Sequence, residues 1–186
     1  NGAGKSTVLR VAAGLETPAR GVVRLNGRDV TFVGAEQRAR LGIQMLPGGD
    51  GVFRSMTVEQ NLAVGGQSLP ADVRAARTER TWSLFPALAD ARRRPAGRLS
   101  GGQQQQLALA RVLLHDPELL IIDELSLGLA PAVVGELLDV VERLKATGQT
   151  MIIVEQSLNI AAAIADRAIF LEKGRVRFVG SPEELR

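Results

Sequence analysis

Asn1-Gly2-Ala3-Gly4-Lys5-Ser6-Thr7 opens the chain and runs directly into Val8-Leu9-Arg10-Val11-Ala12-Ala13, which Gly14 and Pro18 bring to a stop. The glycines let the backbone curl so that successive N–H groups point inward, a nest for an anion. The helix that follows adds its unpaired N-terminal N–H groups and the positive end of its dipole. Lys5 places a point charge beside that nest, and Ser6 offers a hydroxyl of the kind that ligates Mg²⁺. Lys occurs three times in 186 residues, against 20 Arg, so finding one here weighs toward phosphate binding. A plain glycine turn before a helix fits the same letters.

The run matches the second half of Gly-x-x-x-x-Gly-Lys-Ser/Thr, the P-loop pattern. The first glycine of that pattern would fall two positions before Asn1. Loops of this type join a strand to a helix, so the rest of the chain is expected to alternate between the two. It does. Leu119-Leu120-Ile121-Ile122 is a continuous apolar run ending in Asp123-Glu124, the pattern of a parallel strand buried on both faces. Met151 to Val154 reads as a second buried strand, and Ile43 to Leu46 is a shorter apolar run. Val22 to Leu25 and Val30 to Val33 flank Asn26-Gly27, a strong hairpin signal. Ala168 to Leu171 and Val176 to Val179 flank Gly174 in the same way.

Helices are expected at 5–15, 35–40 and 131–146, the last with Pro131 in its first turn, and at 157–165. Thr57 with Gln60 three residues on predicts a capping box for a helix through Val64. Residues 70–98 are rich in Ala and Arg at helical spacing and read as a helical insertion. Ser100 is placed to cap a long helix from about Gly102 to Leu114. Pro47 to Gly51 is a loop.

Composition removes several function classes. Cys is absent, which excludes disulfide frameworks, thiol nucleophiles and cysteine-held metals. His115 is the one histidine and follows the end of a helix, so a two-histidine mechanism is excluded. Net charge is +3, aromatics are 3% and Tyr is absent, so the stacking platforms used for nucleic acid are missing. No apolar run approaches the ~18–20 residues that span a bilayer, and no signal peptide is visible.

Two further runs carry chemistry. Asp123 at the C-terminal end of a buried strand lies where α/β sheets place ligands and is suited to hold Mg²⁺. Glu124 beside it is suited to polarise a water for attack on a terminal phosphate. A strand ending in two solvated acids gives the same pattern. Leu99-Ser100-Gly101-Gly102-Gln103 is a second anion nest at a helix start, or simply a capped helix with a flexible lead-in. One phosphate site needs one nest, so the second demands an explanation.

These runs together resemble the nucleotide-binding subunits of ABC transporters. Met56 to Leu62, Leu99 to Gln105, Ser126 to Pro131, Val154-Glu155-Gln156 and Ala165-Asp166-Arg167 are most similar to the ATPase subunits of branched-chain amino-acid importers. The resemblance implies an α/β P-loop NTPase of RecA-like type, with a mainly parallel sheet, a small antiparallel part and an inserted helical subdomain. Residues 1–53 and 99–186 would form the core and 54–98 the subdomain that meets a membrane permease. It implies ATP bound by Asn1, Gly2, Ala3, Gly4, Lys5, Ser6 and Thr7, with Mg²⁺ held by Ser6 and Asp123. Glu124 is then the catalytic carboxylate, and Gln156 stands where the family carries a switch histidine. Leu99, Ser100, Gly101, Gly102 and Gln103 would contact the ATP of a second ABC subunit, identical or related, in a head-to-tail dimer. Permease subunits, and indirectly a solute-binding protein, complete the assembly at the cytoplasmic face of the membrane.

Four positions depart from the broad family. Gly48 replaces the usual glutamine of the loop after the first core strand, Leu125 the usual proline, Ala130 an aspartate and Gln156 the histidine. The Ala and Gln forms fit the branched-chain subgroup. Gly48 and Leu125 bear on hydrolytic rate and permease coupling. Gly48, Gln156 and Ala130 keep open a degenerate partner with little hydrolysis, and a non-transport ABC ATPase is a third reading. The resemblance also implies a chain cut inside its own phosphate loop, without that loop's first glycine, its strand and an upstream adenine-stacking aromatic, and so expected to bind ATP weakly.

Overall fold

The computed structural model describes every residue except Asn1, Asp50, Leu127 and Arg186, and omits the side chain of Leu185. The expectations placed on Asn1 and Asp50 therefore lie outside the described residues. Helix α1 spans Lys5–Ala13 and buries Leu9 and Ala13. Strands β1 (Arg24–Leu25) and β2 (Arg28–Asp29) form an antiparallel hairpin. Its turn residues Asn26 and Gly27 both have positive φ (48° and 81°), the geometry that matches strand twist in a two-residue turn.

The first strand is shorter than the sequence suggests, and the second falls at Arg28–Asp29 and not at Val30 to Val33, which turn back with Val33 N–H donating to Val30 O at 3.0 Å. Beyond Asp29 one more main-chain bond, Val30 N–H to Val23 O at 2.8 Å, continues the ladder before side chains take over. The Asp29 carboxylate accepts from the Thr31 N–H at 2.9 Å and the Thr31 hydroxyl at 2.7 Å, and Val23 N–H donates to Thr31 Oγ1 at 2.9 Å. Such local side-chain bonds compete with strand pairing.

Helix α2 (Ala35–Arg40) leads into β3 (Ile43–Leu46). The helical stretch follows as α3 (Val58–Gly65), α4 (Ala71–Leu84), α5 (Pro86–Asp90) and a 3-10 turn at Ala96–Arg98. Both halves of the Thr57/Gln60 capping box are present. Helix α6 (Gly101–Leu113) then feeds β4 (Leu119–Asp123), α7 (Pro131–Ala146) and β5 (Thr150–Val154). After α8 (Leu158–Ile164) come β6 (Ala168–Glu172) and β7 (Arg175–Gly180), an antiparallel pair, and a closing 3-10 turn at Pro182–Leu185.

Strands β3, β4 and β5 form a parallel sheet with β4 in the centre. Leu120, Ile121 and Ile122 of β4 are fully buried, as a strand covered on both faces requires. On one face α1 covers Ile43 and Ile121. On the other, Leu107, Leu109 and Leu114 of the α6 region and Leu137 and Val141 of α7 pack with Leu120 and Ile122. Leu62, Phe85 and Leu88 of the helical stretch belong to that same cluster, so the core runs without a break from the sheet into the helices.

The reading of β5 as a buried strand needs correction. Ile152 is 42% exposed. It lies beside Ile121 in the sheet, but α1 packs mainly over β3 and β4 and reaches β5 through Val154.

Arg38 of α2 is fully buried and knits this end of the domain together. Its guanidinium donates to the carbonyls of Val33 (2.8 Å), Val11 (2.6 Å), Ala12 (2.8 Å), Val30 (2.5 Å) and Thr31 (3.0 Å). Two of those carbonyls lie in the last turn of α1, where unpaired acceptors and the negative end of the dipole favour a cation.

Candidate nucleotide site

The N-terminus of α1 is the floor of the site. Gly4 caps the helix with φ 89° and Gly2 has φ 85°, a left-handed backbone that a side chain would strain. The turn is tied down from outside, since Gly174 in the β6–β7 hairpin donates its N–H to Ala3 O at 3.0 Å. Gly2, Ala3, Gly4, Lys5, Ser6 and Thr7 line a cavity of about 160 Å³, and Glu124 forms its remaining wall. The sequence separates Glu124 from the loop by more than a hundred positions. The parallel sheet brings them together because β4 ends beside the start of α1.

Glu124 has φ 58°, a left-handed conformation uncommon for a residue with a side chain. Its N–H is held by Val154 O at 3.0 Å, at the end of β5. The side-chain amide of Gln156, in the loop after β5, donates to Glu124 Oε1. The two residues that sequence reasoning assigned to catalysis therefore touch.

Asp123 Oδ1 is buried and has no hydrogen-bond partner. An orphaned carboxylate oxygen costs free energy unless something fills it. One carboxylate, with the Ser6 hydroxyl in the first turn of α1, is the sparse oxygen set that suits Mg²⁺, which keeps waters and substrate phosphates as its other ligands. The residues present thus fit the ion. Gly48 runs close by, and a Cβ on it would stand 3.1 Å from the Asp123 carbonyl oxygen.

The run Leu99 to Gln103 lies elsewhere. None of its residues lines the cavity formed with Lys5. Ser100 caps α6, accepting from Gln103 N–H at 3.2 Å while Gln103 Oε1 accepts from Ser100 N–H at 3.2 Å. Gly101 is exposed at the helix start and Gly102 is buried beneath it, against α7. A Cβ on Gly102 would come 1.9 Å from Val133 Cγ1, so only glycine fits. Leu99 is buried in the core. His115 bonds Gly65 O through Nε2 at 2.9 Å just beyond α6, away from Gln156, in keeping with a helix-end role.

Sequence reasoning gave no role to Glu155, beside Gln156, or to Arg111, which does not line the glycine-loop cavity. Glu155 accepts both the N–H and the hydroxyl of Ser126, and its only signal was adjacency to Gln156. Arg111 of α6 donates to Gly51 O and stacks over Phe53 at 4.6 Å, fastening the loop after β3 to α6. A larger cavity of about 380 Å³ opens there, lined by Gln44, Met45 and Leu46 of β3 and by none of the glycine-loop residues.

A turn-and-helix anion nest faced by an acid at the end of a central parallel strand defines a P-loop nucleotide hydrolase. Comparison with known proteins narrows this. A family model described as "ABC transporter" matches residues 1–126. The chain is 40% identical to the high-affinity branched-chain amino acid transport ATP-binding protein BraG of Pseudomonas aeruginosa, covering 95% of this chain and 76% of that one. It is 37% identical to the probable branched-chain amino acid transport ATP-binding protein LivF of Archaeoglobus fulgidus, covering 100% and 79%. Among solved structures it is similar to cbiO1 from Clostridium perfringens, part of the ABC transporter complex cbiONQ, with 28% identity and TM-score 0.88 over 100% of this chain and 75% of that one. It is likewise similar to the ADP conformation of an ATP-binding cassette of an ABC transporter, with 27% identity and TM-score 0.86 over 99% and 78%. The chain belongs to the ATP-binding proteins of ABC transporters. It is a nucleotide-binding ATPase subunit whose hydrolysis is coupled to transport. No helix among the described residues is long and apolar enough to cross a membrane.

Proposed function

We propose that this subunit drives the import of branched-chain amino acids or similar small solutes from the cytoplasmic face of the membrane. The likeness to BraG and LivF supports the solute class. The observation that carries the catalytic part is the pairing of Glu124 with Gln156 at the wall of the glycine-loop cavity. Residues 1–7 bind the nucleotide phosphates through main-chain N–H groups and Lys5. Ser6 and Asp123 would hold Mg²⁺, and the ion would supply charge neutralisation for the phosphates. Glu124 accepts the proton of the attacking water, and Gln156 fixes the direction of that carboxylate.

The exposed cap at Ser100 and Gly101 supports a role on a second subunit's ATP, since it stands apart from the cavity of its own chain. Head-to-tail pairing of two such subunits places each signature run, Leu99 to Gln103, against its partner's nucleotide. The stretch 54–98 acts as the helical subdomain that passes this closure to a permease, with a solute-binding protein on the far side.

The test is Glu124→Gln in the intact subunit assembled with its permease. Turnover is expected to fall to background while ATP binding persists and the ATP-bound dimer accumulates. Turnover at the wild-type rate in that variant sinks the assignment. Uptake of radiolabelled leucine by vesicles holding the whole complex checks the solute class.

A further inference from the structure

Glu155 makes a contact that the roles above do not use. Its carboxylate accepts the Ser126 N–H at 3.0 Å on Oε1 and the Ser126 hydroxyl at 2.7 Å on Oε2. Two donors of one residue on two oxygens of one carboxylate fix both position and rotation, and charge on the acceptor strengthens each bond. Glu155 is half-buried, so solvent screens the grip incompletely.

What the grip holds is the chain that carries Glu124. Leu125, between Glu124 and Ser126, is 1% exposed and buried in the main core. Glu124 is tied by its N–H to Val154 O at 3.0 Å. Val154 and Gln156 flank Glu155 on the other loop. The loops after β4 and β5 are thus cross-linked at Glu124–Val154, Ser126–Glu155 and Glu124–Gln156. A non-glycine residue in the left-handed region persists only where its surroundings over-determine it, and Glu124 is one such residue.

We propose that Glu155 is a positioning residue for ATP hydrolysis: by gripping Ser126 it holds Glu124 in its left-handed conformation and keeps Gln156 on the Glu124 carboxylate. Glu155 does not line the cavity and acts through its neighbours. A displacement of the chain beyond Ser126 is then transmitted to Glu124 and Gln156 together. This rests on Glu124 being the hydrolytic carboxylate.

The test compares Glu155→Ala, Glu155→Gln, Ser126→Ala and the double alanine variant in the intact transporter. Glu155→Ala is expected to lower kcat about 10- to 100-fold, the cost of a reacting group misplaced by a fraction of its own size. KM for ATP should move by less than about 3-fold, because the loss is felt in the chemical step and not in binding. Glu155→Gln should keep most of the rate, since its amide oxygen accepts the Ser126 N–H and its amide nitrogen donates to Ser126 Oγ. Ser126→Ala should fall between, and the double variant should be no slower than Glu155→Ala alone.

A wild-type kcat in Glu155→Ala overturns the proposal. So do parallel losses of kcat, ATP affinity and melting temperature, or single effects that simply add. If Glu155→Ala does not fold, Ser126→Ala decides: an unchanged kcat in it rejects the role. Glu124→Gln measured alongside separates the two claims. Loss of turnover there with full turnover in Glu155→Ala rejects only Glu155, whereas full turnover in Glu124→Gln rejects the assignment of Glu124 itself.

Discussion

Gln156 donates its side-chain amide to a carboxylate oxygen of Glu124 across the ends of two parallel strands. The two residues are separated by 32 positions. They meet because β4 and β5 are paired in register through Asp123 and Val154. The contact holds the carboxylate in one direction.

Removing that donor frees the carboxylate to rotate. Gln156→Ala is therefore expected to lower kcat about 10- to 100-fold, with little effect on ATP affinity. Gln156→Glu should do at least as much damage, because two carboxylates then face one another. Steady-state ATPase assays on both variants check this, and a wild-type rate in either contradicts it.

Gly102 is packed against Val133, where a Cβ has no room. Gly102→Ala is expected to cost about 1–3 kcal/mol of stability through overpacking at the α6–α7 contact. Val133→Ala added to it should recover part of the loss, because the clashing methyl belongs to Val133. Thermal unfolding of the single and double variants reads the result. Equal melting temperatures for wild type and Gly102→Ala would show that the helices separate freely there.

Arg38 is buried and satisfies five main-chain carbonyls. Arg38→Met keeps the volume but strands those acceptors without donors. The expected cost is about 3 kcal/mol or more, since buried acceptors lose charge-assisted bonds and gain no water. Urea denaturation measures it. A loss below about 1 kcal/mol would mean that water reaches the carbonyls in the variant.

The Thr31 hydroxyl, then the Thr31 N–H, hold the Asp29 carboxyl below the usual carboxylate value of 3.8, with Arg24 adding a smaller pull and desolvation opposing it. A carboxyl whose pKa is lower in the folded state stabilises the fold above its unfolded pKa. That contribution is lost as pH falls from about 3.8 through the lower native value. An NMR titration of the Asp29 carboxyl and the Thr31 amide should place the midpoint below that of an exposed aspartate. A midpoint at or above the exposed value would show the turn to be open in solution.

Much of this was legible in the sequence, and the reasons differ from residue to residue. The glycine loop and α1 were readable because Gly2 and Gly4 license a backbone that few other residues adopt. The capping boxes at Thr57 and Ser100 were readable because their partners lie three residues away. The Asn26-Gly27 turn is legible, but the apolar run Val30 to Val33 points to a return strand there, whereas pairing ends at Arg28–Asp29 because the Asp29–Thr31 bonds, which leave no periodic trace, compete with it. Ile152 was read as buried because β5 has the apolar run of a covered strand. Its exposure depends on where α1 sits, which no local pattern encodes.

Local chemistry alone determined the nest at residues 2–7, the caps, the central strand with its terminal acids, and the exclusion of thiol and two-histidine mechanisms. These follow from residues close in sequence, where backbone preference and side-chain reach decide the outcome. Only the tertiary structure decided that Glu124 closes the glycine-loop cavity, that Gln156 meets it, that Glu155 grips Ser126 and that Arg38 caps α1. Each of these joins positions far apart along the chain, and the register of β4 against β5 brings Glu124 and Gln156 together.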